Sequence, residues 1–345
     1  MTAFTRIRTG LVALFILLAA GSTQAVTLQD ILSEASGLSG VINADIDRRD
    51  AQATLARVNE DPLALRIETL QAQHAATLTA AQYEVAVYTA YRDLADAYTS
   101  ALEAESGLAL AESSLALAER NLQVAQIRRD RGAATDLDVR DARNSLEDSE
   151  TNLSAAQQGV RLAMERLESL VGPVESPLEP VAIIPVGLAL PDEAAVEEAL
   201  QQSPTLLQAT QGAELAAASL DVLDPSYAAQ QQIDDARVRL EQANEGVREA
   251  ERALRLQLRS LTDAIERSEA GLAVARDALT NARDREAIEA DQLEAGRIAA
   301  ITFEQTQLAT QQAQNALQTA QHDLLLAYLE LQAQTGYALE GLNAF

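Results

Sequence analysis

Three acids, Asp136, Asp138 and Asp141, fall close together in the sequence. Asp138 and Asp141 are three residues apart and so share one face of a helix. Repeated around a symmetric ring, such carboxylates would form a constriction that attracts cations. A helix N-terminus also gathers acids, because they complement its dipole, and both readings stand for this segment. His74 and His322 lie far apart and have no partners at ligand spacing, which leaves them as ordinary helix-surface histidines. Glu165-Arg166-x-Glu168 and Asp284-Arg285-Glu286 read as solvated helix faces, each ion pair worth a few tenths of a kcal/mol, on the order of 0.3. The chain has no glycine-rich phosphate loop, no G-x-S-x-G and no H-E-x-x-H. With no cysteine, disulfides, zinc–thiolate sites, thiol nucleophiles and a lipidated cysteine are all excluded. The expectation is a protein without catalysis, metal or cofactor.

Composition limits the partners. Against 52 acidic residues stand 26 basic ones, all arginine, for a net charge of −26. Such a chain repels nucleic acid and anionic membrane surfaces. Aromatics make up 3% of the 345 residues and tryptophan is absent. That argues against a ring-filled enzyme core and against the aromatic girdles of a transmembrane β-barrel. Residues 1–25 read as a signal peptide: Arg6 and Arg8, then an apolar run from Leu11 to Ala20, then Thr23-Gln24-Ala25 as a small-residue cleavage site. The apolar run is short for a membrane span.

The elements that position the tip acids come in two copies. Pro173, Pro177, Pro180, Pro185 and Pro191 mark residues 173–191 as an extended linker; Val181 to Val186 could form a short edge strand within it. Residues 26–172 and 192–345 are then two helical repeats. An offset of 164 maps Gly107-Leu108-Ala109 onto Gly271-Leu272-Ala273, Gly132 onto Gly296, Leu153 onto Leu317 and Gly172 onto Gly336. Asp61-Pro62 recurs as Asp224-Pro225 at an offset of 163.

Within each repeat the period is helical. Leu108, Leu115 and Leu122 recur every seven residues, with Ala111, Ala118 and Ala125 three places on. The pattern resumes after Gly132 with Leu146, Leu153, Val160 and Leu167. A second apolar ladder, Leu110, Leu117 and Val124, gives the helix two neighbours rather than one. From Leu63 to Asp130 nothing breaks a helix, which spans about 100 Å, and Gly132 marks its end. Leu28 to Asn59 (about 48 Å) and the return helix to Val171 (about 57 Å) together match that length. The second half gives about 105 Å from Ser226 to Ala295, with neighbours of about 58 and 47 Å. The predicted fold class is all-α: two tandem repeats of long antiparallel coiled-coil hairpins, with little or no β. Tyr83, Tyr88, Tyr91 and Tyr98 are expected to pack where the short helices meet.

On these residues the chain resembles the TolC-type outer-membrane efflux proteins. Arg128, Gly132, Asp138, Val139, Ala142 and Arg143 match that family's R-x-x-x-G-x-x-x-x-x-D-V-x-x-A-R turn in type and spacing. Thr27-Leu28, Ala90-Tyr91 and Leu170-Val171-Gly172 support the match. At the second tip Gly296, Ile301 and Phe303 fit, whereas Gln292 and Thr302 replace the arginine and aspartate. The resemblance implies a trimer enclosing an α-helical tunnel, with the tips docking a periplasmic adaptor that works with an inner-membrane pump. It implies export to the periplasm or outer membrane of a Gram-negative-type envelope. Arg128 is the expected ion-pair partner steadying the first turn.

The chain departs from the family after each Asp-Pro pair. There the family carries two strands per repeat for its membrane barrel; here Leu63 to Glu84 and Ser226 to Glu245 hold Gln, Ala, Arg and Glu at helical spacing. The expectation is therefore a tunnel without barrel strands, acting as a passive conduit or docking element of an export assembly. The alternative is a periplasmic coiled-coil spacer or tether.

Overall fold

The computed structural model describes residues 25–174, 177–181 and 193–335. The signal peptide and most of the 173–191 linker, including nearly all of the suggested strand, lie outside the described residues. Helix α1 spans Leu28–Ser33, a 3-10 turn Glu34–Gly37, α2 Ser39–Glu60, α3 Arg66–Asp130 and α4 Asp136–Val171. The second copy runs α5 Glu193–Gln202, α6 Pro204–Asp221, α7 Gln230–Glu294 and α8 Ala300–Thr335. Both long helices have 65 residues and both return helices 36. Their bounds superpose at the offset of 164 read from the glycines. At about 1.5 Å per residue, α3 and α7 are each about 98 Å long.

Two boundaries differ from the sequence reading. The leading helix is not continuous from Leu28: it breaks at Leu38, which is extended (φ −69°, ψ 138°). Ser33, Ser36, Gly37, Ser39 and Gly40 supply poor helix formers, and Leu38 packs against the core. In the second repeat Pro204 makes the equivalent break as the first residue of α6. The long helices also start a few residues late, at Arg66 and Gln230, because each Asp-Pro pair forms a turn. Asp61 Oδ1 accepts from the Leu63 N–H (2.9 Å) and Asp224 Oδ1 from the Ser226 N–H (2.8 Å).

The helices lie side by side in a layer. Towards the Gly132 end the packing order is α4–α3–α8–α7; towards the Asp-Pro end it is α2–α3–α6–α7. Helix α2 thus continues the line of α4, and α6 the line of α8, as the length arithmetic predicts. The core sits at mid-height, where Leu94, Tyr98 and Ala101 of α3 meet Leu28 and Ile31 of α1, Leu167 of α4, Ile265 of α7 and Leu324 and Tyr328 of α8. Tyr98 is fully buried, its hydroxyl 2.7 Å from Val26 O and 2.5 Å from Glu179 O. It clamps a parallel bridge between Val26 and Leu178, the one β pairing among the described residues. Tyr83 lies beneath the Arg48 guanidinium of α2, 4.9 Å from ring centre to Cζ, and Tyr88 packs edge-on against Tyr91.

Candidate functional site

The hairpin tips are built twice by the same hydrogen bonds. At the first, Ala133 N–H donates to Arg128 O (2.7 Å) and Gly132 N–H to Arg129 O (2.8 Å). At the second, Arg297 N–H donates to Gln292 O (2.8 Å) and Gly296 N–H to Leu293 O (2.9 Å). This is a Schellman motif, whose penultimate residue must be left-handed; Gly132 has φ 75° and Gly296 φ 67°. Only the backbone carbonyl of Arg128 enters the turn. The side-chain role expected of Arg128 falls to Arg129, which binds Asp130 (2.6 Å) and reaches Asp136 at 4.0 Å.

The chain then re-enters a helix through a capping box. Thr135 Oγ1 accepts from the Asp138 N–H (3.2 Å), and Asp138 Oδ2 accepts from the Thr135 N–H (2.7 Å) and hydroxyl (2.8 Å). The backbone bond from Thr135, then the hydroxyl bond, holds the Asp138 carboxyl below its ordinary value. Asp138 is therefore folded back on its own helix start, which is the helix-terminus alternative for this acid. Asp136, Asp141 and Arg143 are exposed, and Val139 is buried against α3 as the first residue of α4's seam. The pattern T-x-x-D at 135–138 was the readable signal for this box; the same pattern at Thr27 and Asp30 caps α1. At the second tip Ala299 and Thr302 occupy these places, and only backbone bonds to Ala299 O start α8.

Polar contacts join the repeats along α3. Arg66 binds Asp221 (3.0 Å), Arg92 binds Glu330 (2.6 Å), and Arg120 pairs with Glu304. Burial pushes the Glu330 carboxyl up, but bonds from Arg92 and Gln334 outweigh it and leave it low. The histidines belong to this seam and are not surface residues. His74 Nε2 is 2.7 Å from Glu214 Oε2, and His322, 2% exposed, has Nδ1 2.7 Å from Glu103 Oε1. Helix periodicity placed them on helices, but a contact across more than a hundred residues leaves no local spacing. No group of three or more His, Asp or Glu among the described residues could hold a metal, and no described helix is long and apolar enough to cross a membrane.

The outer faces of the layer are the remaining feature. Along α7 the seam Leu258, Ile265, Leu272 and Leu279 is buried. Val238 (51% exposed), Leu256 (71%) and Val274 (69%) stand 18 residues apart, five helical turns, on one line. Ile265 is nine residues from both Leu256 and Val274, two and a half turns, so that line is directly opposite the buried seam. Helix α4 repeats the arrangement: Leu153 and Leu167 face α3, whereas Leu162, nine residues after Leu153, is 64% exposed on the far side.

Residues 60–173 match the family model described as outer membrane efflux protein. The solved structures extend the likeness to the whole layer. The Campylobacter jejuni CmeC outer membrane channel superposes with a TM-score of 0.67 at 11% identity, covering 90% of this chain and 85% of that one. The outer membrane protein VceC from Vibrio cholerae gives 0.65 at 13% identity, covering 91% and 97%. The Neisseria gonorrhoeae MtrE outer membrane channel gives 0.62 at 13% identity, covering 90% and 88%. No functionally curated protein matches in sequence. The fold is that of the TolC-type outer-membrane efflux proteins. The TolC-type hairpin without strands after its Asp-Pro turns is also what the structure shows among the described residues: α3 begins five residues after Asp61 and α7 six after Asp224.

Proposed function

We propose that this chain is the helical-tunnel component of an efflux or export assembly, closed by three copies and passive in operation. The observation that carries the reading is that α7 has one buried apolar seam and, on the opposite line, exposes Val238, Leu256 and Val274 among charged residues such as Asp263 and Arg267. A helix at the edge of a finished fold keeps its large apolar residues on one face; α7 also turns Val238, Leu256 and Val274 outwards, and α4 turns Leu162 outwards. Joining α7 of one copy to the α2–α4 line of the next covers these outward side chains and is a head-to-tail contact of the kind that closes into a ring. The number three comes from the family resemblance. On this reading the tips at Gly132 and Gly296, with Arg128, Asp138, Val139 and Arg143 around the first, face a periplasmic adaptor that itself engages an inner-membrane pump. Asp136 and Asp141, free of the cap, are the carboxylates left to line a tip constriction.

Leu256→Glu with Val274→Glu tests the interface. Each change adds charge to a face that is solvent-exposed in the monomer, so the helix content holds while the oligomer dissociates. An oligomer that survives both charges removes α7 from the interface and the reading with it.

A further inference from the structure

Helices α3 and α8 form the main junction between the two repeats, and the side-chain bonds that cross it are polar. Arg120 pairs with Glu304, and Asn315 Nδ2 donates to Ser106 O (3.0 Å). Ser106 Oγ donates to Gln318 Oε1 (2.9 Å), and Arg92 binds Glu330 (2.6 Å). A further bond joins His322 Nδ1 to Glu103 Oε1 at 2.7 Å. Among these residue types histidine alone ordinarily changes charge between about pH 5 and 8. Helix α8 carries no charged residue from Gln305 to Gln321, and Asp323 follows His322 directly. Three titratable groups thus meet at one point of the junction: the buried imidazole, the Glu103 carboxylate of the other repeat, and Asp323 at the outer rim. They act on one another. Burial and then Glu103 push the Asp323 carboxyl up, and His322 pulls it down.

We propose that His322, Glu103 and Asp323 form a proton-operated latch between the repeats: a proton taken up by the imidazole tightens α8 on α3, and its loss slackens the junction. The neutral ring donates one N–H to Glu103 and leaves both carboxylates uncompensated. The protonated ring makes that bond charge-assisted, about twice as strong as a neutral one, and offsets one of the two negative charges. The surrounding elements hold no other positive charge against Glu103. On α3, Thr99 and Ser106 share its face and are neutral, whereas Glu105, two residues on, is turned away. On α7, Tyr328 bonds Glu269 (2.7 Å) and Thr310 bonds Ala282 O (3.4 Å), so the stretch between them lies beside His322. Its buried members there are Leu272 and Leu279, and its charges, Arg276 and Asp277, are exposed. Arg267 lines a groove with Asp323, on the rim. Helix α5 meets α8 near Gln334, about three turns away. The sign follows: the tightening is present while the imidazole is charged and is lost as the pH rises through its range. His74 has a matching bond to Glu214 of the other repeat (2.7 Å), but its Nδ1 is buried without a hydrogen-bond partner. A second proton on that ring would meet no acceptor, which makes His74 the control. The latch lies within one chain and does not rest on ring closure.

Amide hydrogen exchange of the full chain tests the latch, read over residues 316–326 of α8 and corrected for the intrinsic effect of pH. Going from about pH 8 to about pH 5.5, across the ordinary imidazole range, protection there is expected to rise roughly fivefold. His322→Gln, which cannot titrate, is expected to abolish the rise. Glu103→Gln keeps a hydrogen-bonding partner without its charge and is expected to reduce the rise, whereas His74→Gln leaves it intact. A parent chain with no rise overturns the inference, as does a rise that persists in His322→Gln. Should His322→Gln fail to fold, Glu103→Gln decides, and an undiminished rise there overturns the latch. An equal rise over residues 146–156 of α4, remote from His322, also overturns it, because that would mark general relief of the −26 net charge.

Discussion

Asp138 shows how a residue's chemistry is decided by what its own backbone leaves unpaired. Its carboxylate is held by Thr135 and cannot also face a passing cation without uncapping α4. Thr135→Ala is expected to cost about 1 kcal/mol, typical for a lost N-cap, and to show as a lower melting temperature; the same change at Thr302 on the second tip, which has no such box, is expected to be near neutral. The pH dependence has a defined sign. Asp138 and Asp30 have carboxyls held below the ordinary 3.8 by bonds from Thr135 and Thr27. Their contribution is complete above 3.8 and is lost as the pH falls through the lower folded values. Asp323 and Glu105 are pushed up, Asp323 by burial and then by Glu103, and Glu105 by burial. These two oppose folding at neutral pH, and that penalty is relieved as the pH falls through their raised values towards 3.8 and 4.5. Melting temperature measured from pH 7 downwards is therefore expected to rise slightly before it falls, and Asp323→Asn to remove part of the rise.

At the scale of elements, the glycines were the most informative letters. Gly132 and Gly296 fixed both tips and the offset that the helix bounds obey, because a left-handed residue ending a helix is a requirement that few other residues meet. Nothing lies within 4 Å of where a Cβ would sit on either glycine, so only backbone conformation opposes substitution. Gly132→Ala and Gly296→Ala are each expected to destabilise by about 1 kcal/mol, with Asn at the same sites costing less; equal melting temperatures for the Ala variants and the parent would contradict the turn geometry. The break at Leu38 was not legible, since an apolar residue in an apolar pattern gives no sign that tertiary packing will hold it extended. Nor was the burial of His322, because its partner Glu103 lies in the other repeat. Arg129 was passed over for Arg128 because the family motif names a position, whereas the Schellman turn uses that position's carbonyl.

At the scale of the whole molecule, a single chain is an open layer about 98 Å tall whose main apolar cluster sits at mid-height and whose α7 and α4 keep apolar side chains turned outwards. The heptads showed that each helix needed more than one neighbour; they could not show which neighbour belongs to another copy. Ring closure is the claim on which the tunnel reading depends. Light scattering on the size-fractionated chain, without detergent and then with it, tests that claim most directly. A closed trimer is predicted, reverting to monomer in Leu256→Glu/Val274→Glu with its helix content unchanged. A parent chain that is monomeric under both conditions would contradict the account.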